Sequence, residues 1–348
     1  MITHVKQEKI AIAALLLVLN PILFPATTAA QTRIRLATLL PPGSSQYRTL
    51  EQMGQEWKSS TGGAVTLTIY GGGTMGGEED TIRRMRAGQL QAATLSAAGL
   101  SDIDPAVGAI EKIPMLYHSL DEMEYVRTKL QPELEQRMER KGFVVLSWTD
   151  TGWIYIFSRQ PYTRPKEFRS RRSKVFVTAT DGNEIEIVNS LGFQAVPLEW
   201  PDVLISLETG LVDTVPVTPF FALASQFDLV AKHLLEVNYV PLVGATVMTK
   251  RSWDALNPDQ REKVLKAAAE AGKQIQAKSR AESQEAIEAM KKRGLQVHQV
   301  PPELEDEWRH FAESVYPKMR GKMIPADVFD KTLSLVAEYR AAQKTGRP

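Results

Sequence analysis

From Arg33 to Leu40 polar and apolar residues alternate and then turn apolar, and Pro41-Pro42-Gly43 closes the run. This pattern predicts a strand that ends in a tight loop. Ser44 or Ser45 is placed to cap a helix running to about Ser60. Val65 to Tyr70 alternates with β-branched residues and predicts a second strand, broken by Gly71-Gly72-Gly73. Glu78 to Ala87 reads as a helix with acidic residues in its first turn, stopped by Gly88, and Gln91 to Ser96 as a third strand. Strand and helix in alternation with short connections predict a parallel sheet covered on both faces.

The pattern begins again after Lys141-Gly142. Phe143 to Trp148, Trp153 to Ser158 and Lys174 to Thr178 predict strands, and Asn183 to Leu191 a helix ending at Gly192. Ala195-Val196 is a short strand, Pro201 to Thr209 a helix ending at Gly210, and Asp213 to Val217 a further strand. A second α/β unit is therefore expected. The strongest helix follows: Asn257 suits the N-cap, Pro258 the first helical position, and Gln260 completes a capping-box-like pair. Charged and alanine-rich sequence continues to Arg293, before Gly294. About 36 residues at ~1.5 Å each give roughly 54 Å, longer than one such unit is wide. One helix bracing both units is the sharper expectation; two helices broken at Gly272 is the other.

The N-terminal segment stands apart. Lys6 and Lys9 precede an uncharged apolar run from Ile10 to Leu19, and Thr28, Ala29 and Ala30 supply small residues. This predicts a secretory signal peptide over residues 1–30, cleaved near Ala30. No later run reaches ~18 apolar residues. The remaining 318 of the 348 residues fit two domains. Export without a single cysteine leaves no role for disulfides or thiolate chemistry. The 42 basic and 41 acidic residues become 40 and 40 once Lys6, Lys9 and Glu8 are set aside, a balance that argues against nucleic acid as a partner. His4, His118, His233, His298 and His310 show no paired ligand spacing, so no metal site is expected.

Other motifs weigh little. Gly71 to Gly76 formally fits G-x-G-x-x-G between strand and helix, but Gln91 to Ser96 lacks the acidic residue a dinucleotide site requires, and no P-loop lysine follows. Glu78, Glu79 and Asp80 suit the helix dipole, and no G-x-S-x-G or histidine motif supports nucleophilic catalysis. Arg169, Arg171, Arg172 and Lys174 form a basic run that reads as a solvated loop, with a docking patch as the alternative. In open α/β sheets ligands sit beyond the carboxyl ends of strands. Leu40, Ser96, Trp148, Trp153, Phe176, Thr218 and Phe220 fall near such ends, and Trp200 in a loop, so these are the candidate binding residues.

The ordered set of segments resembles the substrate-binding subunit of tripartite ATP-independent periplasmic (TRAP) transporters, the DctP type. The resemblance runs through Leu36 to Ser44, Gly76 to Glu79, Arg86 to Leu90, Glu111 to Leu116, Pro165 to Phe168, Lys174 to Val177, Pro197 to Trp200, Leu207 to Asp213, and Ser252 to Leu256 with Gln260-Arg261. It implies a two-lobed, type II-like periplasmic binding protein fold with hinge strands and a lobe-spanning helix. One lobe would hold residues 31–151 and about 244–290, the other 152–243 and about 291–348. It further implies a receptor without cofactor or catalysis, soluble once processed, that hands a small organic solute to TRAP membrane subunits. A sensor for a signalling receptor and a periplasmic enzyme remain the alternatives. Members of that family clamp a carboxylate with arginine, whose bidentate fork suits it. Phe176 occupies the arginine's place here, Trp153 that of a second basic residue, and Thr218 that of an asparagine before proline. With the register slipped by a residue or two, Lys174 becomes a substitute cation and Arg171 or Arg172 a remote one. The unslipped register implies an aromatic-lined pocket for a solute less anionic and more apolar than a C4-dicarboxylate.

Overall fold

A computed structural model describes residues 31–178 and 182–344; the expected signal peptide lies outside the described residues. The strands are β1 (Thr32–Thr38), β2 (Val65–Tyr70), β3 (Ala92–Ser96), β4 (Phe143–Ser158), β5 (Lys174–Thr178), β6 (Gln194–Leu198), β7 (Thr214–Val217), β8 (His233–Thr249) and β9 (Gln296–Gln299). Helices α1 (Ser45–Ser60), α2 (Glu78–Arg86), α3 (Ala97–Ser101) and α4 (Leu120–Arg140) precede β4 or lie between the first strands. Helices α5 (Pro165–Ser170), α6 (Gly182–Ser190), α7 (Val203–Thr209) and α8 (Pro219–Ala224) belong to the middle of the chain. Then come α9 (Lys250–Asp254), α10 (Pro258–Lys291), α11 (Pro302–Glu313), α12 (Tyr316–Met319) and α13 (Ala326–Lys344).

The sheet order is β2-β1-β3-β8-β4-β7-β5-β6, with β9 on β8. β1 is parallel to β2 and β3, and β5 is parallel to β6 and β7. Two long antiparallel strands, β4 and β8, join these groups, paired from Phe143↔Thr249 to Ser158↔His233. Two short strands were expected where β4 runs unbroken. The break expected between Trp148 and Trp153 is an irregularity in the ladder between Asp150 and Trp153, with Gly152 at φ +91°. Glycine reaches this left-handed region without steric cost, so the strand kinks and continues.

Each group of strands carries its own core. Leu36, Leu50, Met53 and Trp57 pack with Val264, Ala268 and Ile275 on one face of the first group, while Ile82, Met85, Ala93, Leu130, Phe143 and Val247 fill the other. In the second group Phe157, Phe176, Val203, Leu207 and Val215 pack with Ala286, Ile287 and Met290. Helix α10 thus contributes its first half to one core and its second half to the other. It is a single helix of 34 residues, opened by a full Asn257–Gln260 capping box, and so spans about 51 Å.

Gly272 does not break this helix; it lets the helix touch β4. A Cβ there would lie 2.9 Å from the Trp148 carbonyl oxygen and 3.2 Å from Ser147 Cβ. The Thr149 hydroxyl donates to the Gly272 carbonyl at 3.2 Å. One and two turns further on, Gln276 donates to Asp150, and Arg280 donates Nε to Asp150 Oδ1 at 3.0 Å and an Nη2 to Oδ2 at 2.9 Å. Residues four apart share a helix face, so 272, 276 and 280 form one stripe against β4 beside its kink.

The C-terminal stretch divides differently from the expectation, which placed all of 291–348 in the second lobe. Leu304 and Trp308 of α11 pack with Phe168 and Leu235 of the second group. Val328, Phe329, Leu335 and Val336 of α13 join the core of the first, against the apolar stripe of α4. That stripe (Met123, Val126, Leu130, Leu134, Met138) needs a cover, and α13 supplies it.

Gly272→Ala is expected to lower stability by about 1–3 kcal/mol through overpacking, although alanine is the better helix former by ~1 kcal/mol. Urea unfolding checks this; a rise in stability would mean the helix is free to move off β4.

Candidate functional site

The carboxyl ends of the parallel strands of both groups face a common seam. From the second group, β6 leads into Glu199-Trp200 and β7 into Thr218-Pro219. From the first, β1 leads into Leu39-Leu40 and β3 ends at Ser96. The two sides touch: a Cβ on Gly77, just before α2, would lie 2.9 Å from Glu199 Oε2.

Four aromatic rings gather on the second group's side. Phe176 packs edge-on against Trp200, with centroids 4.9 Å apart at 64°; Trp200 meets Phe221 at 6.1 Å, and Phe221 meets Phe220 at 5.6 Å. Offset and edge contacts of this kind are the favoured ring arrangements. Phe221 also packs against the cluster that contains Leu40, Leu50 and Ile275, so it bridges both cores. Phe176 is nearly buried at 5% exposure, whereas Trp200, Phe220 and Phe221 are half-buried. Thr218 stands beside them at the N-cap of α8, 1% exposed, and its hydroxyl makes no hydrogen bond with the protein. An orphaned buried hydroxyl costs roughly 1–3 kcal/mol, a cost that a polar atom of a bound solute would offset.

The structure thus brings Phe176, Trp200, Thr218, Phe220 and Leu40 to one seam. Trp153 follows the β4 kink, half-buried against the first core opposite Pro241. Trp148 is held elsewhere, its Nε1 donating to Glu135 of α4 at 3.0 Å. Lys174 lies at the start of β5, the end away from the seam, with Nζ on the Gly210 carbonyl at 2.9 Å and its backbone N–H on Asp213 at 3.0 Å. It does not join the aromatic group as a substitute cation, and Arg171 and Arg172 sit exposed in the turn before it.

Ser96 has a different role from the one its position suggests. Its backbone N–H and hydroxyl both donate to Glu78, each at 2.6 Å. Burial raises the Glu78 pKa against the lowering effect of those bonds. A second carboxyl, Glu111, is 6% exposed and accepts the Val243 N–H at 2.7 Å. Burial pushes it up to about 8, with Glu78 and Glu184 adding to the rise and Lys112 opposing it. Local sequence signals assign Glu78 only a dipole role and single out neither Glu111 nor Phe221. Nothing local marks Phe221, and Glu111's burial depends on β8, which is distant in the chain. Among the described residues, no group of three His, Cys, Asp or Glu side chains is placed to hold a metal ion.

Thr218→Val removes the orphaned hydroxyl and keeps the shape. It is expected to leave thermal stability unchanged or raised while weakening solute affinity; a clear loss of stability would show that the hydroxyl has a protein partner. For Glu111 the folded-state pKa lies above the ordinary carboxyl value, so its contribution to stability is full below about pH 4.5 and is lost as pH rises toward about 8. At about 1.4 kcal/mol per pKa unit, that loss amounts to a few kcal/mol. Glu111→Gln should flatten this part of the stability–pH curve and be the more stable form at pH 8. Identical curves for the two proteins would refute the assignment.

The family model for bacterial extracellular solute-binding protein, family 7 (DctP), matches residues 36–322. The C4-dicarboxylate-binding periplasmic protein DctP of Rhodobacter capsulatus is 23% identical over 265 residues, 76% of this chain and 79% of that protein. A TRAP periplasmic solute-binding protein of Ralstonia eutropha, solved with (S)-2-acetolactate, superposes with a TM-score of 0.81 at 22% identity, covering 88% of this chain and 99% of that one. One from Pseudomonas putida F1, solved with D-glucuronate, gives 0.78 at 22% identity over 86% and 96%. The matched span of 36–322 and these superpositions agree: the chain belongs to the bacterial extracellular solute-binding proteins of family 7, the TRAP-type receptors with a two-lobed α/β fold.

Proposed function

We propose that this receptor captures a small solute that presents a ring or another apolar face and carries at most one carboxylate, and delivers it to TRAP membrane subunits from the periplasm. The two cores act as lobes that hinge at the β4 kink. A solute that contacts both sides only when they meet shifts the population toward the closed form, which the membrane subunits then read. The chain's part is binding and presentation, without chemistry on the solute. No helix among the described residues is long and apolar enough to cross a membrane, which fits a receptor that works beside membrane subunits.

The observation that carries this reading is the packing of Phe176 against Trp200 at the seam, in the strand position where the family resemblance leads one to expect a carboxylate-clamping arginine. Aromatic walls favour the apolar face of a ring at ~25 cal/mol per Å² buried, and Thr218 offers one directional hydrogen bond. A dianion would bring two desolvated charges to a wall that pairs neither. The solutes named for the Ralstonia and Pseudomonas structures each carry one carboxylate, which supports the same class; the Rhodobacter relative is named for C4-dicarboxylates and marks the contrast.

Calorimetry with uronates, cyclic and aromatic monoacids, neutral sugars, succinate and malate tests this. A ring-bearing compound should bind in the micromolar range or tighter, with succinate and malate at least about 100-fold weaker, and Trp200→Ala should cost about tenfold or more. Micromolar binding of succinate or malate would overturn the reading.

A further inference from the structure

His233 and His298 are 65 residues apart in the chain, yet their ring nitrogens meet, His233 Nδ1 to His298 Nε2 at 3.1 Å. The pairing of β8 with β9 causes this. In their parallel register His233 lies opposite Gln296 and Leu235 opposite His298. Side chains two apart in a strand share a face, so His298 points to the same side as His233. The first histidine is fixed further by β4, where Ser158 is its partner. Neither ring is used by the solute seam, which lies toward the middle of β4, where β7 ends beside Tyr155 and β3 ends opposite Gly244, the partner of Thr149.

We infer that His233 and His298 form a two-histidine site for a late first-row divalent cation such as zinc, clamping β9 onto β8. Two imidazole nitrogens bound to one ion at ~2.0–2.1 Å and subtending a right or tetrahedral angle lie ~2.9–3.4 Å apart, and the observed separation falls inside that range. The rings stand nearly head-on, with centroids 5.3 Å apart and planes inclined by 35°, so without metal they share one N–H···N hydrogen bond. Rotation about χ2, a broad torsion for histidine, turns both lone pairs to a common point, and both rings are half-buried rather than locked in the core. A metal requires neutral imidazole.

Among the described residues no third His, Cys, Asp or Glu completes the set, so water or a small anion fills the other positions. Nitrogen donors select zinc, copper or nickel over magnesium and calcium, which prefer oxygen. The consequence is local: β9 holds to β8 through four residue pairs, and it is the segment through which the chain leaves α10 for α11.

The test is zinc titration of the tag-free chain by calorimetry near neutral pH, with magnesium as comparison. The expected result is one zinc per chain and no magnesium. His233→Gln and His298→Gln should each lose about tenfold or more in zinc affinity, while His310→Ala, altered on an exposed face of α11, should keep it. Melts without zinc show whether each variant folds. Where one does not, the ring-proton resonances of the unaltered chain decide: zinc must shift those of two histidines and leave His310 in place. Absence of zinc uptake, or uptake unmoved by both glutamine variants, would overturn the site. None of these readouts depends on the solute.

Discussion

A buried carboxylate in the middle of β4 sets the frame of this molecule. Asp150 is 1% exposed, and its donors come from one stripe of α10: Gln276 and, through a bidentate fork, Arg280. Removing the donors would leave a charge buried and unpaired, which costs far more than a surface ion pair contributes. The register of a helix spanning both cores is therefore fixed at one point on β4, one turn beyond the glycine that allows the approach. Arg280 itself is about a third exposed, and acidic Asp121 and Glu124 on α4 reinforce the hold that Asp150 has on its proton.

That contact lies two residues before Gly152, where β4 kinks. Strands β4 and β8 and helix α10 all contribute to both cores, and the kink at Gly152 lies between the two. The parallel strands on either side end at the same seam. Aromatic rings and the buried Thr218 hydroxyl stand at that seam, with Phe221 packed against both cores. The proposed preference for a solute with little charge rests on those rings.

Much of this was legible in the sequence because it rests on local signals. The capping box at Asn257, the alternation in β1 and β2, and the glycine stops after α2, α6 and α7 fix elements without help from distant residues. Gly272 had two readings, since a mid-helix glycine marks either a break or a close approach, and only the position of Trp148 distinguishes them. The second-lobe assignment of the C-terminus failed because the stripe of α4 and its partner face on α13 lie some 200 positions apart. At the seam, strand ends and family resemblance pointed to Phe176, Trp200 and Thr218 as candidates, whereas Lys174 sits at the far end of its strand, on the Gly210 carbonyl. Phe221, Glu111 and the His233–His298 pair depend on contacts across the sheet, which no spacing along the chain reveals.

The central claim is that a solute is held at the seam by aromatic rings and Thr218 rather than by an arginine. A crystal structure with the tightest-binding compound tests it most directly. The account predicts the solute between the two groups of strands, one face against Trp200 and a polar atom within hydrogen-bond distance of the Thr218 hydroxyl. A solute held by a guanidinium that forks onto its carboxylate, away from those rings, would contradict it.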